Sequence, residues 1–66
     1  MKSHQQRVVT EKKELDTKLD ALNVFISEDP TFKELPILEQ ARLKEQRHHM
    51  SAYSAVLGRR IEYFSE

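Results

Sequence analysis

The sequence predicts an all-α fold: an antiparallel two-helix hairpin with a short turn segment, assembled into a homo-oligomeric helical bundle. Three observations lead there. Apolar residues recur at helical spacing on both sides of a single break, which holds Pro30 and ends at Pro36. The one glycine, Gly58, lies inside a helical pattern, and a third of the residues are charged, a composition suited to long helices and poorly suited to a β-sandwich. No strand is expected.

The first helix is expected over about 5–27. Val8, Leu15, Leu19, Leu22 and Ile26 fall on one stripe at steps of four and three once Lys12 lays its methylene stem along it. Phe25 widens the apolar end of that stripe. A turn segment follows over 28–35. Pro30 lacks the N–H that a helix interior needs and pushes Asp29 out of the helical region. Thr31 to Leu35 then has room for one helical turn, with Phe32 and Leu35 on one side to plug the open end of the hairpin.

The second helix is expected over about 36–63. A proline is tolerated in a first turn, which suits Pro36, and Glu39 complements the positive end of the helix. Leu43, Met50, Leu57 and Phe64 recur at a strict seven-residue spacing and read as a packing seam. Beside them runs a second row at the same spacing, Gln46, Tyr53 and Arg60. Buried polar groups are costly unless bonded, so this row reads as a stripe facing a ligand, another helix or another subunit. The alternative is that the three side chains flank the seam with their heads in water.

Residues 1–66 are expected to form a single domain, and a chain of this length buries little core. With no cysteine to staple it, association is the remaining route to stability. The second helix is apolar or small over a wide arc that includes Ala41, Ala52, Ala55, Val56 and Ile61. Ser51, Ala55 and Gly58 form a small-residue strip suited to close approach by a second helix. A homo-oligomer is therefore expected.

Lys plus Arg equals Asp plus Glu at 11 each, so the strong positive field of a nonspecific duplex binder is absent and no stable nucleic-acid polymer is expected as partner. No apolar run approaches the length of a membrane span, and Met1 to Arg7 lacks the apolar stretch of a signal peptide; a soluble, cytoplasmic protein is expected, with no membrane partner. Enzyme signatures are missing. There is no Gly-rich phosphate loop or nucleophile elbow, and the neighbours His48 and His49 point to different sides of a helix and cannot chelate one ion together. Glu11 with Glu14, and Asp16 with Asp20, are ordinary solvated spacings. Neither catalytic residues nor a metal or cofactor are expected.

Binding chemistry is better represented. A nucleotide needs a flat surface for its base and cationic or amide donors for its phosphates. Tyr53 and Tyr63 supply planes, Arg47, Arg59 and Arg60 supply forks, and Lys12, Lys13 and Lys18 supply cations. Gln46 supplies an amide able to read a base edge. A charged face around a coiled seam has the same composition.

The order of residues carries a resemblance. Gln6-Arg7-Val8-Val9 with Glu11-Lys12, Glu14-Leu15-Asp16 with Lys18-Leu19, Leu22 and Phe25-Ile26 lead to Phe32 and Leu35 in the turn. Leu43, Gln46, Met50, Tyr53, Leu57 and Arg60-Ile61 follow. Over nearly the whole chain this resembles a family of very small phage and prophage proteins, including relatives from crAss-like phages, that share the helical hairpin of the anti-CBASS and anti-Thoeris sponge proteins. The resemblance implies a non-catalytic oligomer in the cytoplasm of an infected bacterium. Such a protein captures nucleotide-derived immune messengers, cyclic oligonucleotides or ADP-ribose derivatives, in pockets between subunits and silences the defence effector. The pocket motif and extended tail of the longer anti-CBASS members are not matched, which leaves a linear ADP-ribose conjugate and a cyclic dinucleotide both open. If this chain is such a sponge, its own side chains are expected to divide the work, with Tyr53 stacking a base, Arg60 and Arg7 holding phosphate, Lys18 adding charge and Gln46 orienting the ligand through hydrogen bonds. Two rivals remain: a structural or adaptor hairpin that binds a host or phage protein, and a small nucleic-acid-binding regulator using Arg7, Lys12, Lys13, Arg59 and Arg60 on phosphates.

Overall fold

In the computed structural model, which describes residues 1–64, helix α1 spans Ser3–Glu28, a five-residue helix α2 spans Pro30–Glu34, and helix α3 spans Ile37–Glu62. Among the described residues there is no strand. The last two positions of the expected domain lie outside the described residues. α1 starts earlier than the apolar stripe requires because Gln5 folds its side-chain carbonyl back to accept from the backbone N–H of Lys2 at 2.9 Å, satisfying a donor that a helix start leaves open.

The break is built by local chemistry. Asp29 leaves the helical region at φ −87° and ψ 120°, as a residue before proline must. Its carboxylate then accepts from the Thr31 N–H at 2.9 Å, capping α2 with Pro30 in the first turn. On the far side, the Gln40 amide donates to the carbonyls of Leu35 at 2.9 Å and Lys33 at 3.3 Å, tying the turn to the start of α3. Pro36 stands just before α3, Glu39 occupies its first turn, and Arg59 and Arg60 occupy its last, each matched in sign to the helix dipole.

α1 and α3 pack antiparallel along one seam. On α1 the buried and half-buried row is Gln5, Val8, Lys12, Leu15, Leu19, Leu22 and Ile26; on α3 it is Gln40, Leu43, Arg47, Met50, Ser54, Leu57 and Ile61, continued by Phe64 just past the helix end. Both rows step by three and four, the signature of knobs-into-holes packing. The apolar centre is small: Leu57 is 1% exposed, and Val8 and Phe32 are the other buried apolar residues among those described. Phe32 plugs the turn end, meeting the Phe25 ring edge-on at 6.0 Å between centroids, with the Lys44 ammonium 5.8 Å from its ring centre.

Gly58 lies against α1. An added Cβ would meet Lys12 Cε at 3.3 Å, so the missing side chain gives room to the lysine stem where it crosses the seam. Within the Ser51–Ala55–Gly58 strip, expected to allow close approach by another helix, Gly58 is thus approached by α1 of the same hairpin.

Candidate functional site

The row expected to face a ligand lies on the outside of the hairpin. Gln46, Tyr53 and Arg60 are all exposed. The polar residues that complete the α3 seam are instead Arg47 and Ser54, followed at the same spacing by the apolar Ile61, because α1 approaches Leu43 from its +4 side and leaves Gln46, at +3, on the opposite edge. The outer stripe is not merely polar. Val56, 42% exposed, and Tyr63, 85% exposed, follow Tyr53 at helical spacing, so the same edge carries two phenol rings, an aliphatic side chain and the Arg60 fork. Gln46 reaches along it to place its amide 3.7 Å from the Met50 sulfur.

Arg7 and Lys18 project from α1 and are exposed as well. Lys18 lines a shallow hollow on the outer face of α1 with Gln6, Val9, Thr10, Lys13, Glu14 and Thr17. Among the described residues, no hydrogen bond, ion pair or ring contact joins Arg7 or Lys18 to Gln46, Tyr53 or Arg60. One hairpin thus carries Gln46, Tyr53 and Arg60 on one stripe of α3 and Arg7 and Lys18 on α1.

Inside the seam lies a polar cluster that apolar periodicity does not reveal. Lys12 Nζ donates to Asp16 Oδ2 at 2.7 Å and to Ser54 Oγ at 3.1 Å, and the Ser54 hydroxyl donates to Asp16 Oδ1. The three groups close a ring of bonds between α1 and α3, and among the described residues no buried side-chain polar atom lacks a partner. A lysine at a seam position carries no energetic gain over leucine. Its bonds to a serine on the other helix instead penalise any slip of one helix past the other, since a slipped register would leave a charge in the seam unpaired.

The hydrogen bond from Lys12 holds the Asp16 carboxyl below its ordinary range, the bond from Ser54 acts in the same direction, and partial desolvation opposes both. A carboxylate whose folded pKa lies below its unfolded value adds stability above the unfolded pKa and loses it as pH falls through the folded one. Stability contributed by Asp16 should therefore be complete at neutral pH and decline below the ordinary value of 3.8. Asp16→Asn is expected to lower the denaturant midpoint at pH 7 and to flatten its fall between about pH 4 and pH 2. Parallel midpoint curves for the two proteins across that range would refute the assignment.

A family model described as Sequestin matches residues 2–63, which covers both long helices, the turn and all five named residues. The chain belongs to the Sequestin family. No curated protein and no solved structure matches it. The Sequestin match extends over the polar cluster and the outer Tyr53 stripe alike. Among the described residues of this Sequestin, no helix is long and apolar enough to cross a membrane, and no three His, Cys, Asp or Glu side chains gather as metal ligands do.

Proposed function

We propose that this Sequestin is a non-enzymatic sponge that binds and sequesters nucleotide-derived immune messengers, cyclic oligonucleotides or ADP-ribose derivatives, and so inhibits anti-phage defence signalling in the cytoplasm of an infected bacterium. The family name speaks of sequestering, and the family model spans residues 2–63. The observation that carries the reading is the exposed edge of α3, where Tyr53 and Arg60 stand in water beside Val56 and Tyr63. A ring for a base and a fork for a phosphate, set on a stripe apolar enough to join another copy, are the elements of a pocket completed between subunits. A sponge needs affinity and copy number but no turnover, and a hairpin that oligomerises creates interfaces where side chains from several copies converge.

In this reading Tyr53 stacks the base, Arg60 and Arg7 hold phosphate, Lys18 adds charge and Gln46 orients the ligand. Arg7 and Lys18 reach the Tyr53 stripe from a neighbouring copy, so the homo-oligomer is part of the site. Calorimetric titration with cyclic dinucleotides, cyclic trinucleotides and ADP-ribose derivatives tests it. Tyr53→Ala and Arg60→Ala are each expected to weaken binding by about tenfold or more, the scale of one lost base stack or charge-assisted fork. Unchanged affinity in both variants removes those roles.

A second reading, an adaptor hairpin for a host or phage protein, draws on a different patch. Ile37 and Leu38 open α3 with exposures of 75% and 67%, and an apolar pair so open is a contact surface in search of a partner. It predicts Ile37→Ser and Leu38→Ser variants that lose a protein partner while every nucleotide titration stays flat. The sponge predicts the reverse.

A further inference from the structure

On the edge of the hairpin opposite Tyr53, α1 and α3 enclose a groove of about 310 Å³ lined by Leu19, Asn23, Lys44, Arg47, His48 and Ser51. Lys44, Arg47, His48 and Ser51 follow one another at i, i+3, i+4 and i+7, one face of α3, and Leu19 and Asn23 at i, i+4 form the α1 wall. The lining holds two permanent cations, an imidazole, an amide and a hydroxyl, and no carboxylate. That composition is unusual in a chain whose acidic and basic residues balance at 11 each. It is also unfavourable in isolation, since like charges three and four residues apart on a helix repel.

Arg47 makes the imbalance acute. It occupies a seam position, half-buried between Leu43 and Met50, where helix packing alone would select an apolar residue. The other seam cation, Lys12, is answered by Asp16 and Ser54, whereas among the described residues no ion pair or hydrogen bond answers Arg47. Lys44 has only the face of Phe32, at 5.8 Å. The Arg47 stem lies in the seam while its guanidinium reaches water at the groove with no counter-charge among the described residues beside it, so the fork is open to an anion. The donor set defines which anion. A planar fork, a point cation, an amide and a hydroxyl converging on one hollow fit the tetrahedral, multi-acceptor oxygens of a phosphate better than a single carboxylate. The volume lies near the lower end of the ~300–1,000 Å³ of small-molecule sites, enough for two linked phosphoryl groups.

We infer that this groove is an anion site, separate from the Tyr53 stripe, that seats a phosphate or pyrophosphate group with Arg47 as its bidentate anchor and Lys44, Ser51 and Asn23 as supporting donors. It rests on the sponge reading only for the kind of molecule that carries the phosphate; the groove itself is complete within one hairpin.

The probe is inorganic pyrophosphate, added to isotope-labelled protein and followed by nuclear magnetic resonance, with sodium chloride of equal ionic strength as the reference. Saturable shifts are expected at the side-chain amide of Asn23, the Nε of Arg47 and the backbone amide of Ser51. Arg47→Met keeps the stem in the seam and Lys44→Gln alters only an exposed head group; each is expected to weaken pyrophosphate binding about tenfold while the helical circular dichroism stays intact. Shifts that match those in sodium chloride, or that gather at Arg7, Arg59 and Arg60, overturn the inference, as does undiminished binding in both variants. The sponge reading fails separately. Pyrophosphate filling the groove while all cyclic nucleotides and ADP-ribose derivatives are refused sinks the sponge and keeps the site; messengers bound through Tyr53 while pyrophosphate gives no saturable shift in the groove do the opposite.

Discussion

Leu57→Ala is expected to destabilise the protein by about 3 kcal/mol, the middle of the range for deleting a buried leucine side chain and leaving a cavity. Leu57 is 1% exposed and is the sole described side chain so completely enclosed. A domain of this size holds only about 0.05–0.15 kcal/mol per residue of net stability, so this one substitution removes a large share of it. Thermal unfolding followed by circular dichroism is expected to show the midpoint falling by about 12 °C or more, at the usual 4–8 °C per kcal/mol for small domains. Val56→Ala, one residue away on the exposed edge, supplies the control and should move the midpoint little. Equal effects of the two would mean that the outer edge is as enclosed as the seam, as happens if copies join through it. Repeating both melts over a range of concentrations then measures that association directly.

Phe32→Ala is the second large loss, again about 3–5 kcal/mol by the usual cost of removing a buried aromatic. The ring is buried at the turn end of the hairpin, and its loss strips Phe25 of an edge-to-face partner and Lys44 of the aromatic surface beneath its ammonium. Because α2 is five residues long, it has no helical stability of its own and depends on that plug. Hydrogen exchange should register the change first at the ends of α1 and α3 near the turn, ahead of the Leu57 region. Protection lost evenly along both helices would show that the hairpin has no separable turn end. The same variant is expected to weaken pyrophosphate in the groove, since Lys44 would no longer be held over the ring.

The alternation of threes and fours through Val8, Leu15, Leu19 and Leu22, the proline before Thr31 and the seven-residue row through Leu57 are enough to place two long helices and a break between them. These are local properties, dictated by backbone sterics and by the period of one helix, and no partner is needed to read them. The stacking of Phe32 under the turn was likewise legible, because only an apolar plug can close that end.

What the pattern of α3 alone left open is the side from which α1 approaches. Two polar rows flank Leu43, Met50 and Leu57, one through Gln46, Tyr53 and Arg60 and one through Arg47 and Ser54, and both have the seven-residue period. Periodicity treats them alike. Packing does not: with α1 against the +4 side, Ser54 meets Lys12 and Asp16, Arg47 is drawn half-buried to the lip of a groove, and Tyr53 and Arg60 are left in water. The helices, their ends and their apolar faces were thus determined by sequence, through interactions a few residues apart. Which polar side chains are shared between helices and which face outward was decided only by the tertiary contact, because it depends on residues about 40 positions away across the hairpin, such as Lys12 and Ser54.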